Sequence, residues 1–317
     1  MIAGRPPAAP QADRVALIIN PHATVSTPAV RTHVAHTLAA VGVEWTELTR
    51  GPGDAGRLAH ECARAGATVV VTLGGDGTVA DVAGALAGGP TALAPLPGGN
   101  ANVFSRALGW SGAVDEALPS LLAALRAPRR TLNLGRLRAD GLDHVFVVNC
   151  GVGLDAATVE WVEDRPRLKR RLRQAGFALG AVAATTGGRG AAHLHVVADD
   201  AEPVDVVTLL AACGSPYTYL RSRPLDLVPG ADFDGSLRWT GLRDIRPDHV
   251  MRLMAEVARG RPLPEHPSLV TGGVETALTV TADEPAPVQA DGEVLGRHTS
   301  VRIEPGPTLE VVDVRGP

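Results

Sequence analysis

The chain has 317 residues, of which 45% are hydrophobic, and a formal net charge of −4 at pH 7. This length predicts about two domains, and the weak negative charge excludes a globally basic nucleic-acid-binding protein. No apolar run approaches the ~20 residues that a membrane-spanning helix needs. The 3 cysteines are far apart, without the spacing of a zinc site or a disulfide framework, so buried reduced thiols in a cytoplasmic protein are expected.

The first third of the chain alternates strand and helix signals, after a leader over residues 1–13 that is expected to be disordered. Thr27 before Pro28 is typical of a helix start. Strands separated by helices predict an α/β domain with a doubly wound parallel sheet over residues 14–130, which binds ligands beyond the carboxyl ends of its strands. The strands are predicted at residues 15–19, 43–48, 67–73 and 91–96.

After residue 130 the pattern changes to short strands joined by Gly, Pro and Asp turns. The change predicts a mainly antiparallel, β-sandwich-like domain over residues 131–304. The last segment, residues 305–317, is strand-like and is compatible with a return to the first domain. The strands of the second domain are predicted at residues 132–138, 144–149, 193–198, 204–213, 236–242, 277–282 and 300–304.

A glycine turn, Gly74-Gly75-Asp76-Gly77-Thr78, follows the third predicted strand and precedes a helical pattern. Its glycines leave room for a phosphate group to approach backbone N–H groups. Asp76 is a carboxylate of the kind that holds Mg²⁺ together with phosphate oxygens. A nucleotide site is therefore the leading hypothesis. The structural alternative, which is compatible with it, is a helix start with Thr78 as N-cap and Asp81 completing a capping box.

Acidic side chains elsewhere are further candidates. Asp291-Gly292-Glu293 offers two carboxylates, one of which could accept the proton when a phosphoryl group is transferred to an alcohol. Asp-Gly is equally a favoured hairpin turn, and the same alternative applies to Asp234, which precedes a glycine in another acidic turn. Asp155 follows a predicted strand, where an N-cap and a site residue are both open.

Together the motifs resemble the diacylglycerol kinase catalytic-domain family, which includes bacterial diacylglycerol kinases, sphingosine kinases and related lipid kinases. The resemblance runs from about residue 14 to about residue 304, and its order and approximate spacing are those of the family. Two departures are Val103 in place of an Asp, and Ala80-Asp81 in place of an Asn-Glu pair. The motifs that carry the resemblance are Asn20-Pro21, the glycine turn, Pro97 to Arg106 and Asp291-Gly292-Glu293.

The resemblance implies a kinase that uses ATP and Mg²⁺ to phosphorylate a lipid hydroxyl, such as that of diacylglycerol, between its two domains. It implies Asp76, Asp291 and Glu293 as catalytic residues and leaves open which of the last two accepts the proton. It implies Mg²⁺ ligands from among Asp76, Asp155 and Asp234. The residues implied to line the nucleotide are Asn20, Pro21, Thr49, Gly74, Gly75, Asp76, Gly77, Thr78, Gly99 and Asn102.

A basic cluster of six residues leads into an apolar helical pattern. Such a segment suits peripheral contact with an anionic membrane, and also an ordinary solvated helix face. Nucleic acid is not an expected partner, because no aromatic residues are interleaved with the cluster. Open edges of an antiparallel sheet also allow a homodimer. The cluster consists of Arg165, Arg167, Lys169, Arg170, Arg171 and Arg173.

Two other functions stay open at this point. A kinase of a soluble acceptor such as NAD has a similar glycine turn, although the segment from Pro97 to Arg106 favours the lipid kinases. A nucleotide-binding protein without catalysis is the other alternative, with Val103 as a mark of lost activity. The carboxylates Asp76, Asp291 and Glu293 favour an enzyme over that alternative.

Overall fold

The computed structural model describes residues 13–163, 193–220, 222–244 and 266–314, together with residues 246, 252, 253, 255, 256 and 259. The predicted basic cluster, at residues 165–173, lies outside these described parts. None of the helices in the described parts is long and apolar enough to cross a membrane. All three cysteines are free and buried, as the sequence predicted.

The first half of the chain alternates strands and helices. Its strands are β1 (Val15–Ile19), β2 (Val43–Leu48), β3 (Val69–Gly74) and β4 (Ala92–Pro97). Its helices are α1 (Pro28–Ala39), α2 (Asp54–Arg64), α3 (Asp76–Leu86), α4 (Val103–Ala107) and α5 (Val114–Ala124). The side chain of Thr27 caps α1 ahead of Pro28, as predicted.

The strands of the first half form a parallel sheet in the order β4-β3-β1-β2. Every residue of β1, β3 and β4 is buried, whereas residues of the edge strand β2 are alternately half-buried and exposed. This burial explains why the inner strands are continuous apolar runs, since helices cover both faces of a parallel sheet. The carboxyl ends of all four strands meet at one edge.

The described strands of the second half pair in antiparallel fashion with one another, and helix α6 (Leu154–Glu163) follows β7. Its first strands are β5 (Arg130–Ala139), β6 (Leu142–Phe146), β7 (Asn149–Gly153), β8 (Leu194–Ala198), β9 (Val204–Val206) and β10 (Thr208–Ala212). The remaining strands are β11 (Thr218–Leu220), β12 (Arg223–Leu225), β13 (Leu237–Leu242), β14 (Leu269–Val274), β15 (Leu278–Ala290) and β16 (Glu293–Val311). A parallel α/β half followed by an antiparallel β region confirms the predicted fold class.

The long strand β16 connects the two halves. It pairs in antiparallel fashion with β15 and β5, and at its end Val311 pairs in parallel with Leu93 of β4. The sheet is therefore continuous from one half to the other. Because β16 begins at Glu293, the acidic turn before it belongs to the same strand that enters the parallel sheet.

Two predicted strands are each two strands in the structure: residues 204–213 form β9 and β10, and residues 144–149 fall into β6 and β7. β6 ends at Phe146 and β7 begins at Asn149. For residues 144–149 the prediction was wrong because the N–H groups of Val147 and Val148 donate to the carboxylate of Asp291, 2.6 and 2.8 Å away, instead of to a neighbouring strand.

Candidate active site

The predicted nucleotide residues lie together at the carboxyl edge of the parallel sheet. The Asn20 Nδ2 atom, just after β1, donates to Thr78 Oγ1 at 2.9 Å, and Pro21 follows, half-buried. Thr49, just after β2, is buried and donates its N–H to the carbonyl of Ile19 at 2.9 Å. The strand ends thus bring together segments that are far apart in the chain.

Two glycine loops pack directly against each other at this edge, the glycine turn (residues 74–78) and a second loop over residues 97–102. The Gly98 N–H donates to the Gly74 carbonyl at 2.7 Å. A Cβ at Gly98 would lie 2.7 Å from the Gly74 nitrogen, and one at Gly99 would lie 2.7 Å from the Gly75 Cα. Close approach of the two backbones therefore requires glycine at positions 98 and 99.

Gly77 differs from these packed glycines. A Cβ added there would meet no atom within 4 Å, and Gly77 is the second residue of the 11-residue helix α3. The first N–H groups of a helix have no partner within the helix, and its dipole favours anions there. The open space at Gly77 therefore fits a phosphate group of a nucleotide.

The predicted capping box at the start of α3 is wrong. The helix begins at Asp76 with Gly75 as its N-cap, so Thr78 lies inside the first turn. Asp81 reaches another helix start, where its Oδ2 accepts the N–H of Gly53 at 3.1 Å. Its carboxylate therefore joins α3 to the start of α2.

Asp76 ties the two glycine loops together. Its Oδ2 accepts the N–H of Asn102 at 2.9 Å and its Oδ1 accepts the N–H of Val103 at 2.5 Å. Burial raises the pKa of Asp76, and these backbone hydrogen bonds oppose the rise because they favour the ionised carboxylate. The contacts give Asp76 a structural role, while its catalytic and metal-binding roles stay predictions.

Asn102 closes the second loop. Its backbone is left-handed, with φ of 48°, and its side chain is bonded to Gly99 through both amide atoms. Oδ1 accepts the Gly99 N–H at 2.8 Å and Nδ2 donates to the Gly99 carbonyl at 3.0 Å. Both contacts are local, and direct contact of Asn102 or Gly99 with a nucleotide stays a prediction.

We expect Asp76→Asn to destabilise the fold, because the amide NH₂ cannot accept one of the two backbone N–H groups that Asp76 now binds. An unsatisfied buried N–H costs about 1–3 kcal/mol. Urea unfolding monitored by circular dichroism checks this cost. An Asp76→Asn variant as stable as the parent would contradict the structural role, and its activity would then report the predicted metal or catalytic role alone.

Asp291 lies in a tight hairpin between β15 and β16. Asp291 and Gly292 have φ of 48° and 82°, and positive φ at both central residues is typical of a type I′ turn. The Asp291 carboxylate accepts three backbone N–H groups, from Val147, Val148 and Asn149, at 2.6 to 3.1 Å. Burial raises its pKa, and the three hydrogen bonds oppose this. The carboxylate is held inside the turn.

Glu293, by contrast, is exposed, and no described residue donates a hydrogen bond to its side chain. It lies near Asp81 of α3, whose pKa is raised by burial and further by the charge of Glu293. His144 of β6 also acts on the Asp81 carboxylate, and its charge lowers the pKa of Asp81. The packing of α3 beside β6 and β16 thus brings Asp81 close enough to Glu293 and His144 for their charges to act on its pKa.

Sequence reasoning missed this grouping. Asp81 was noticed only as a departure from the family pattern and as a capping residue, and His144 carried no motif or spacing signal. The feature that could have indicated both is the packing of α3 beside β6 and β16, which is a long-range property of the fold.

The other predicted Mg²⁺ ligands are engaged elsewhere. Asp234 accepts from Arg130 at 2.8 and 3.1 Å, and the half-buried Asp155 accepts from Tyr217 and Gln289. Among the described residues, no three His, Cys, Asp or Glu side chains gather as a metal site. Because Mg²⁺ commonly binds one or two carboxylates plus phosphate oxygens, the donor set at Asp76 fits only an ion that arrives with a nucleotide.

The helix α4 connects the second loop to the antiparallel half. The rings of Phe104 and Phe233 meet edge to face at 5.6 Å. The Arg106 guanidinium carbon lies 3.5 Å from the centre of the Tyr219 ring, a cation–π contact. The helix that follows the second loop is thus packed against the antiparallel half of the chain.

Residues 14–136 match the sequence model of the family described as the diacylglycerol kinase catalytic domain. A relative from Pseudomonas fluorescens, described as a probable lipid kinase, YegS-like, is 42% identical over 92 residues, which are 28% of this chain and 29% of that protein. A relative of the same description from Chromohalobacter salexigens is 34% identical over 144 residues, 44% of this chain and 42% of that protein. The matched part thus spans less than half the length of these relatives.

Solved structures show the same fold. A diacylglycerol kinase from Bacillus anthracis strain Sterne is 20% identical and has a TM-score of 0.68, covering 95% of this chain and 97% of that one. A second structure from the same strain, also 20% identical, has a TM-score of 0.71. The fold likeness extends over both halves, whereas the family match covers the first. Residues 14–136 therefore match the family that the motifs resemble, and the solved structures extend the likeness of fold to the rest of the chain.

Proposed function

We propose that the chain is an ATP-dependent lipid kinase that transfers the γ-phosphate of ATP to a hydroxyl of diacylglycerol or a related lipid. The family match and the lipid kinase descriptions of the relatives support the reaction class. The observation that carries the proposal is that α3, the helix that begins with the glycine turn, packs beside β16, which begins at Glu293, a carboxylate to which no described residue donates a hydrogen bond.

The nucleotide phosphates would bind at the start of α3, in the open space beside Gly77. Asp76 is the carboxylate nearest in sequence to that space and would share Mg²⁺ with the phosphate oxygens. The ion supplies positive charge that offsets the charge on the transferred phosphoryl group. The chain itself supplies backbone N–H groups and a rigid pair of loops, which hold the phosphates without rearrangement.

Of the two carboxylates left open by the sequence, we assign the base to Glu293. Three backbone N–H groups hold the Asp291 carboxylate in the turn, so it supports the hairpin. The Glu293 side chain is free to accept a proton from an acceptor hydroxyl that enters between the two halves. Asp81 is close enough to feel the charge of Glu293, which raises the Asp81 pKa.

The basic cluster at residues 165–173 would contact the membrane that holds the lipid acceptor. Six positive charges without an acidic residue among them suit an anionic lipid surface, from which the substrate would be taken. A homodimer stays a prediction.

Transfer of labelled γ-phosphate from ATP with Mg²⁺ tests the function. Separate assays contain diacylglycerol, a long-chain amino alcohol, a mixed lipid extract or NAD as the acceptor. A labelled lipid is the expected product. Label on NAD alone would replace the lipid kinase with a kinase of a soluble acceptor, and ATP binding without any product would favour a non-catalytic nucleotide-binding protein.

A further inference from the structure

A buried polar network lies behind the turn that carries Glu293. Gln289 of β15 is fully buried, and its Oε1 accepts the N–H of Gly292 at 2.9 Å. Its Nε2 donates to Asp155 Oδ2 at 2.7 Å. Tyr217 completes the network from the other side, since its hydroxyl donates to Asp155 Oδ1 at 2.5 Å. The network therefore leads from Tyr217 to the turn itself.

The neighbouring strand is shaped to accommodate this network. Gly151 of β7 pairs with Gln289, and a Cβ at Gly151 would lie 2.1 Å from Asp155 Oδ2 and 3.1 Å from Gln289 Nε2. The Asp155 carboxylate thus occupies the space that a side chain at position 151 would fill. Withdrawing a carboxylate from water is costly unless it is hydrogen-bonded, and both oxygens of the half-buried Asp155 accept.

The network fixes which way the Gln289 amide points. An amide has a donor end and an acceptor end, and the acceptor oxygens of Asp155 attract the donor end. The oxygen end of Gln289 is then directed at the Gly292 N–H, between the two carboxylate residues of the turn. Without Asp155 the amide could rotate, and its NH₂ group would face the N–H of Gly292 unfavourably.

We propose that Asp155 and Gln289 are positioning residues for the Asp291-Gly292-Glu293 turn: they hold the Gly292 N–H and so set the direction in which Glu293 leaves the hairpin. This inference rests on the proposed role of Glu293 as the base. Neither residue takes part in proton transfer. For Asp155, whose predicted role was that of a metal ligand, the positioning role is the one that its observed contacts support.

The test compares Gln289→Met and Asp155→Asn in phosphoryl transfer to diacylglycerol in mixed micelles. Met is similar in size but breaks the amide contacts with Gly292 and Asp155, and also the longer one from Nε2 to Asn149 Oδ1 at 3.4 Å. We therefore expect kcat to fall at least tenfold with an unchanged KM for ATP. Asn can accept from Gln289 through Oδ1 and donate to the Tyr217 oxygen through Nδ2. We therefore expect Asp155→Asn to stay within about threefold of the parent.

Two controls separate positioning from general stability. Asp199→Asn perturbs another carboxylate of the second half, one that accepts the N–H groups of residues 275–277, and we expect a lower Tm with an unchanged kcat. In a Glu293→Gln background, Gln289→Met should cause no further loss of kcat, because both act through the same carboxylate. Should Gln289→Met fail to fold, Gln289→Glu replaces it, with the same shape but no N–H for Asp155.

Amide hydrogen exchange over residues 290–294 gives a readout that needs no acceptor. We expect faster exchange in the Gln289 variant and parent-like exchange in Asp155→Asn. A folded Gln289 variant with parent-like kcat and exchange would overturn the inference, as would an Asp155→Asn variant as inactive as Glu293→Gln. If Glu293→Gln itself retains full turnover, the proposed base fails, while the exchange data still decide whether the network holds the turn.

Discussion

Glu293→Gln should lower kcat for lipid phosphorylation by about 10²–10⁴-fold, the usual contribution of a general base. The substitution keeps the size of the side chain and removes only its ability to accept a proton at neutral pH. Because no described residue donates to the Glu293 carboxylate, Tm and the KM for ATP should stay as in the parent. Initial rates of labelled phosphate transfer, with calorimetry for Tm, measure all three quantities.

Glu284→Gln is the matched control, since Glu284 is an exposed glutamate on β15 beyond the turn, and its kcat should not change. A second readout tests the geometry without turnover. The charge of Glu293 raises the pKa of Asp81, so Glu293→Gln should lower that pKa in a carbon-13 carboxyl titration. A kcat of Glu293→Gln equal to that of the parent would contradict the assignment of the base. An unchanged pKa of Asp81 would show that the two side chains are far apart.

Local patterns in the sequence were sufficient to predict the architecture. Strands β1 and β2 have the predicted bounds, because alternating strand and helix signals and apolar runs are properties of short segments. The rule that ligands bind beyond the carboxyl ends of parallel strands predicts Asn20-Pro21 and the two glycine loops at one edge, where the structure places them.

The sequence could not predict which groups each carboxylate contacts. Asp155 and Gln289 are 134 residues apart, and Asp291 and Val147 are 144 apart. Periodicity carries no information about such pairs, since any of several buried N–H groups could satisfy a given carboxylate. The sequence therefore could not predict the partners of Asp76, Asp155 and Asp291, which the structure shows to differ for each of them.

The capping error has the same origin. Thr78 with Asp81 has the spacing of a capping box, but α3 begins three residues earlier, where Gly98 and Gly99 bring the second loop onto the glycine turn. The Asp76 carboxylate then binds the N–H groups of that loop, and Asp81 is free to reach Gly53. A contact between loops, invisible in either segment alone, decides where the helix starts.

Gly77→Ala should remove ATP binding from a protein that is as stable as the parent or slightly more stable. No atom lies within 4 Å of the added Cβ, and replacing a glycine with alanine at a compatible position typically stabilises by roughly 0.4–1 kcal/mol. The same Cβ would occupy the space that we assign to a phosphate group. Isothermal titration calorimetry with ATP and Mg²⁺ should therefore show that binding is lost. Urea unfolding should show a free energy of unfolding that is unchanged or slightly higher.

Gly98→Ala is the matched variant at a glycine where the added Cβ has no room. Its Cβ would lie 2.7 Å from the Gly74 nitrogen and 2.8 Å from the Gly74 oxygen, so the two loops must separate, at a cost of about 1–3 kcal/mol or more. Stability and ATP binding should then fall together. If Gly77→Ala instead binds ATP as the parent does, the phosphates do not lie at the start of α3. The glycine turn would then serve only the packing of the two loops, and the nucleotide would have to be sought elsewhere along the carboxyl edge.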